Sequence, residues 1–378
     1  MPPKIKYFNV NWENGMNISK DHFIQQENAF TDRLRDTSAV FLNSLNFGLL
    51  PLGAETELAE KTVLKIDNQN FLKAKVFCCR AITQGGVRIE INEEHQLAEL
   101  KTDLSAELES TTREEGVDYF VLLSADPFNR QVFGELDANE EPPRYPFTIP
   151  GFKLNVISEK LLAKEGVHPY SFFIGKMRIE KGIPEIDEDY IPPCMTLKSH
   201  VKLTEFNELV EKFFSQVELN LLSIIKKIKE KNQDTSLAKS VFSLSENLLR
   251  YVTENQLRLH WELPNKPPVF LFMFIASAAR VIRNTIDAEA ASSKEELLNY
   301  FTNWSELKQG DFEKLLVYCI NFEYNHYDIL FSVEQFTEFM QIVGLLFDKL
   351  ESLAYIGKKK ETNIFVKEQK SKRSFLAD

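Results

Sequence analysis

Apolar positions change their period twice along this chain. After a short extended start, Ser19 has the chemistry of a helix N-cap. Phe23, Phe30, Leu34, Phe41 and Leu45 then follow at helical spacings until Gly48 and Pro51 interrupt them. Residues 1–50 are therefore predicted to be an extended segment followed by an amphipathic helix. Between about Thr62 and Tyr190 the helical period is lost. Short β-rich runs occupy 61–66, 73–82, 87–91, 118–125, 152–157 and 172–180, divided by the turn chemistry of Gly85-Gly86, Asp126-Pro127 and Pro142-Pro143. Strand runs with no intervening helices predict an antiparallel β-sandwich over 51–192. The Glu-dense stretch from Asn92 to Gly116 reads as a solvated loop or a surface helix.

At Ile191-Pro192-Pro193-Cys194 the two prolines end the strand pattern, and everything beyond it is helical in period. Leu203, Phe206, Val210, Phe213, Val217, Leu221, Ile224 and Ile228 form one stripe about 25 residues long, or roughly 38 Å at 1.5 Å per residue, and it needs a long partner. Further helices are predicted from Ser236 to His260 and from Pro267-Pro268 past Arg280, where Val269–Ile282 is apolar on nearly every face and is expected to be buried on all sides. Others follow at Lys294–Trp304, at Asp311–Tyr318, and from Ser332, with Gln335 completing a capping box, to about Leu353. The predicted class is thus α+β, β then α: a sandwich over 51–192, a helical bundle over 193–353, and a tail over 354–378. From Gly357 the tail carries seven Lys or Arg against three Asp or Glu, with a short strand predicted at Asn363–Val366.

Composition narrows the function. The 378 residues hold 45 Lys and Arg against 56 Asp and Glu, a net charge of -11, which argues against nucleic acid as a partner. Thirty Phe residues supply large rigid groups suited to packed interfaces. Cys78, Cys79, Cys194 and Cys319 have no metal-ligand spacing and suit a reducing compartment. The start lacks the apolar core of a secretory signal, and the longest apolar stretch, Val269–Ala279, is about half of a membrane span, so a cytoplasmic protein is expected. No nucleophile elbow or HExxH motif occurs, the six histidines are far apart in sequence, and Gly85-Gly86 fits a hairpin better than a phosphate cradle. No catalytic residue, metal, cofactor or small-molecule substrate is predicted. The abundance of carboxylates leaves a hydrolase with two facing carboxylates as an open alternative.

Three segments resemble one family. Trp12-Glu13-Asn14-Gly15-Met16 with His22-Phe23-Ile24-Gln25-Gln26 is similar to the opening of TssK, the trimeric baseplate protein of type VI secretion systems, although Ile24 interrupts the family's His-Phe-Gln run. Tyr190-Ile191-Pro192-Pro193 resembles the proline pair between that family's β domain and its helical neck. Tyr324, His326 and Asp328 resemble its Tyr-x-His-x-Asp pattern before the last neck helix. The resemblance implies a homotrimer with a β-sandwich shoulder and a helical neck, the shoulder binding the wedge proteins TssF and TssG. It also implies a C-terminal head that docks onto a membrane-side anchor. After Leu353 too few residues follow for a globular head, which is similar to the short, Bacteroidetes-type form of the system and leaves the anchor's identity open. A phage-tail-like receptor-binding protein is the alternative on the same architecture.

Each of these residues has a bland reading beside the sharp one. Trp12, Met16, His22, Phe23, Gln25 and Gln26 are candidates for wedge or protomer contact, or else for packing onto their own sandwich and capping their own helix. Leu203, Phe206, Val210, Phe213, Val217 and Leu221 are candidates for neck packing and for the contact between protomers. Pro192, Pro193, Tyr324, His326 and Asp328 are expected to be structural, His326 and Asp328 orienting each other or capping the last helix. The basic tail is a candidate for lipid or partner contact.

Overall fold

The computed structural model describes residues 3–52, 59–95, 97–111, 116–304 and 310–357, so the predicted tail strand lies outside the described residues. An extended N-terminal segment leads into helix α1 (Lys20–Ala39), which ends well before Gly48, the point the apolar spacing suggested. There follow β1 (Gly48–Leu49), β2 (Glu60–Ile66), β3 (Phe71–Ile82), β4 (Arg88–Ile91), β5 (Leu100–Asp103), α2 (Ser105–Thr111), β6 (Val117–Phe133), β7 (Phe147–Ser158), α3 (Glu159–Glu165), β8 (Ser171–Glu180) and β9 (Ile183–Ile186). All six predicted runs are strands. β1 and β9 are too short to carry a period. β5 lies inside the Glu-dense stretch, where it is a strand because its backbone pairs with β3, Phe71 opposite Asp103.

β3 is the hub of one sheet, pairing with β1, β2, β4 and β5, while the second sheet runs in the order β7-β6-β8-β9; every pairing is antiparallel. β6 is buried on both faces. Val121 and Leu123 point into the core shared with Leu72, Ala74 and Val76 of β3, and Phe120 and Leu122 point the other way, onto Phe47, Phe173 and Tyr190. The sheets approach closely at Gly175 of β8, where a Cβ would lie 2.3 Å from Leu64 Cδ1.

The remainder is helical: α4 (Val201–Glu230), α5 (Ser236–Leu257), a π-helical turn at 258–262, α6 (Val269–Asp287), α7 (Ala291–Trp304), α8 (Asp311–Ile320) and α9 (Ile329–Ser352). α4 packs between α5 and α9. It runs parallel to α9, since Asn220 Nδ2 donates to Asp348 Oδ1 at 2.6 Å and, further along both helices, Ser223 donates to Glu351 at 2.8 Å. Three expectations are corrected. Phe214, not Phe213, is the buried residue of its turn, because a step of four after Val210 keeps the 3.6 period; Phe213 is half-buried, and a Cβ placed on Gly344 would lie 3.7 Å from its ring. Ser332 is buried inside α9, which begins at Ile329 with Asp328 at the N-cap position. α6 is not covered on all sides, because Met273, Ser277 and Arg280 form an exposed edge. α6 and α9 are long and apolar enough to cross a membrane by length and composition, and here both contribute buried side chains to the bundle core.

Candidate interaction face and the domain joint

Helix α1 lies on the sandwich by its polar face. Asn28, Asp32 and Arg35 are buried, and Asp32 Oδ1 pairs with Arg35 at 2.7 Å. Asp32 Oδ2 accepts the backbone N–H groups of Lys6 (2.5 Å) and Tyr7 (3.1 Å), Arg35 donates to the carbonyls of Gly85 (3.2 Å) and Pro3 (3.1 Å), and Gln26 Oε1 accepts the N–H of Val10 at 3.0 Å. Burial works to raise the Asp32 pKa, but these hydrogen bonds outweigh it and hold the carboxyl below its usual range. The β3–β4 turn is shaped to receive the helix: Gly86 has φ +82°, and a Cβ there would lie 2.2 Å from the carbonyl oxygen of Arg35. Asn28 and Glu27 also bind Arg130 of β6.

The consequence is an inverted amphipathic helix. Its apolar stripe faces outward, with Phe23 61%, Phe30 54% and Leu34 70% exposed, continued by Phe41 at 77%. The sequence predicts an amphipathic helix and leaves its facing open; Asn28, Asp32 and Arg35 repeat with the same helical spacing and take the core side, Asp32 and Arg35 by binding backbone groups there and Asn28 by accepting from Arg130. Trp12 lies on the outer face, 6.1 Å from Phe23 and 6.2 Å from His22 between ring centres. His22 caps α1, its Nδ1 accepting the Ser19 N–H at 3.1 Å. Met16 is half-buried, Gln25 is exposed and Gln26 is the internal tie to Val10. Phe8, Ile18, Phe30, Leu34 and Phe41 extend the exposed face and were not singled out in the sequence as contact residues.

The second cluster joins the two halves of the chain. Leu49 N–H donates to the carbonyl of Pro193 at 2.7 Å and Met195 N–H donates to that of Leu49 at 3.0 Å, so β1 clips the segment after the proline pair. Gly48 makes this approach possible: its φ is +121°, and a Cβ would stand 2.0 Å from the Pro193 carbonyl oxygen. His326 Nε2 donates to the carbonyl of Phe47 at 2.9 Å while Nδ1 accepts from the Tyr324 hydroxyl at 2.7 Å, a pattern that fits one neutral tautomer. Burial pulls the His326 pKa down to about 4, against the Phe47 carbonyl, which favours the charged ring. Asp328 neither caps α9 nor orients His326, contrary to expectation. It pairs with Lys176 of β8 at 2.7 Å, and Lys176 also meets Asp118 of β6 at 3.1 Å. Desolvation lowers the Lys176 pKa, and the two carboxylates more than offset it. Tyr190 donates to the carbonyl of Tyr327 at 2.9 Å, and the Tyr327 ring packs tilted against Phe173 with centroids 4.4 Å apart. The structure therefore gathers Pro193, Tyr324, His326 and Asp328 around Phe47 and Lys176, neither of which any short motif marked.

The stripe of Leu203, Phe206, Val210, Val217 and Leu221 is fully buried within the one chain, so it is not a surface for a second protomer. Leu209, Leu219 and Leu222 of α4 and Phe331 and Leu345 of α9 are exposed. Among the described residues no group of three or more His, Cys, Asp or Glu is placed to hold a metal ion. The buried thiols of Cys79 and Cys194 are pushed up by desolvation, away from reactivity.

No family model and no curated protein matches this chain. Among solved structures it is similar to a crystal structure of TssK, at 14% identity over 89% of this chain and 69% of that one, with a TM-score of 0.48. It is similar also to a chain of the baseplate complex from the type VI secretion system, at 14% identity over 90% and 99% with a TM-score of 0.48. A third likeness is to a chain of the type VI TssK-TssF-TssG baseplate subcomplex, at 13% identity over 89% and 100%, with a TM-score of 0.41.

Proposed function

We propose that this chain is a structural baseplate component of a type VI secretion system, a trimeric adaptor between the baseplate wedge and the cell-envelope anchor. The outward apolar face of α1 with Trp12 carries the reading. A soluble helix that spends its polar residues on the core and leaves Phe23, Phe30 and Leu34 in water is built for a protein partner. The N-terminal motif that resembles TssK lies on this face, and the other two motifs meet at the joint between sandwich and bundle, which supports one common reading of all three.

In this proposal the wedge proteins TssF and TssG are the partners of the α1 face, and copies of the chain meet along the outward side of α4 and α9. The assembly stands at the cytoplasmic side of the envelope and works by holding, not by catalysis. Three copies let individually modest apolar contacts act together through effective concentration. The test is co-purification with the wedge proteins TssF and TssG. Trp12→Ala with Phe23→Ala is expected to abolish wedge capture with far-UV circular dichroism unchanged, and undiminished capture would remove the α1 face from the proposal.

A further inference from the structure

A cleft beside the joint shares no lining residue with the α1 face. Glu60, at the start of β2, stands on the strand's inward side with Leu64 and Ile66, and its Oε1 is buried with no hydrogen-bond partner. An orphaned carboxylate oxygen costs stability unless something occupies the space before it. Glu60 lines a cavity of about 310 Å³ whose other walls are Ile174 and Gly175 of β8, Ile186 at the end of β9, and the linker at 187–192. Asp187 and Glu188 bring two more carboxylates to it, and the run from the end of β9 into the linker reads Glu185-Ile186-Asp187-Glu188-Asp189. A wider cleft of about 810 Å³ shares Ile186, Asp187 and Glu188 with it and adds Asp118 and Glu185. The cations there are already committed, Lys176 to Asp118 and Asp328, and Arg178 to Asp118 at 3.3 Å.

We infer that this cleft is a socket for a basic side chain, arginine or lysine, carried by an extended segment of a partner protein. The cavity lies at the low end of ligand-pocket volumes, which run from about 300 to 1,000 Å³, and so suits one side chain. Leu64, Ile186 and Pro192 supply apolar walls for an aliphatic stem, and Glu60 with Asp187 and Glu188 meets the charged head. Strand addition is a poorer fit, since Pro184 removes a donor from the four-residue edge strand β9. A metal ion is a poorer fit too, because the described carboxylates do not converge into a three-ligand group.

The probe is a blocked octapeptide of alternating Arg and Ser, titrated into the full chain by fluorescence anisotropy, with an alternating Glu and Ser peptide as control. Saturable binding of the Arg peptide alone is expected. Glu60→Gln, which keeps the side-chain volume, should weaken it about tenfold or more, the effect of losing a charged hydrogen-bond partner. Glu188→Gln at the exposed mouth should weaken it in the same direction without touching the core. Glu334→Gln, on the exposed side of α9, makes the same change in net charge and should leave binding intact. No binding, or an equal loss in Glu334→Gln and Glu60→Gln, would reduce the cleft to a part of the general negative field of the chain and overturn the inference.

Discussion

Two kinds of buried titratable group set opposed pH dependences in this chain. Burial pushes the Glu60 carboxyl up to about 7 from an ordinary 4.5. The folded state therefore holds a proton that the unfolded chain has released, and stability falls as pH rises from about 4.5 to 7, by about 3 kcal/mol in all. His200 and His326 are pulled down to about 4 from 6.5 by burial. For these the unfolded chain binds the extra proton, so stability is complete above pH 6.5 and falls as pH drops towards 4. The windows overlap and the slopes oppose. In Glu60→Gln the histidine contribution stands alone, so urea denaturation between pH 4.5 and 7 should show a steeper acid loss than in the wild type, and higher stability at pH 7.5. A parallel pH profile in the two proteins would place Glu60 in water.

At the level of elements, orientation is what separates reading a helix from placing it. Phe30→Gln with Leu34→Gln should leave the thermal midpoint within a few degrees, since exposed substitutions fall within about 0.5 kcal/mol each, whereas an inward stripe would lose several kcal/mol. Phe214→Ala should cost about 3–5 kcal/mol by chemical denaturation and Phe213→Ala distinctly less. The sequence made the strand runs, the α1 N-cap and the long stripe of α4 legible, because each rests on a local period or cap. It left the facing of α1 unreadable, because Asp32 and Arg35 are drawn inward by the backbone of Lys6, Tyr7 and Gly85, and Gly85 is 50 residues away from Arg35. The joint was half legible: Pro193, His326 and Asp328 stood out as motif residues, while Phe47, Gly48 and Lys176 acquire meaning only from contacts across the whole chain.

At the level of the molecule, the apolar interior of α4 is consumed within one chain, so any trimer is made by outward faces. Light scattering behind size exclusion should report about 131 kDa, three times the 43.8 kDa chain. A stable mass near 44 kDa at micromolar concentration would count against self-assembly through α4 and α9.

The joint also bears on the order in which the protein is made. His326 reaches the carbonyl of Phe47 across 279 residues of sequence, and Tyr327 covers Phe173. During synthesis every strand leaves the ribosome before either partner exists. The nascent sandwich therefore carries an uncovered aromatic surface of Phe47 and Phe173 until the segment before α9 emerges, and contacts of such long range form slowly. That interval is when the half-made chain is most prone to aggregation and most in need of a chaperone.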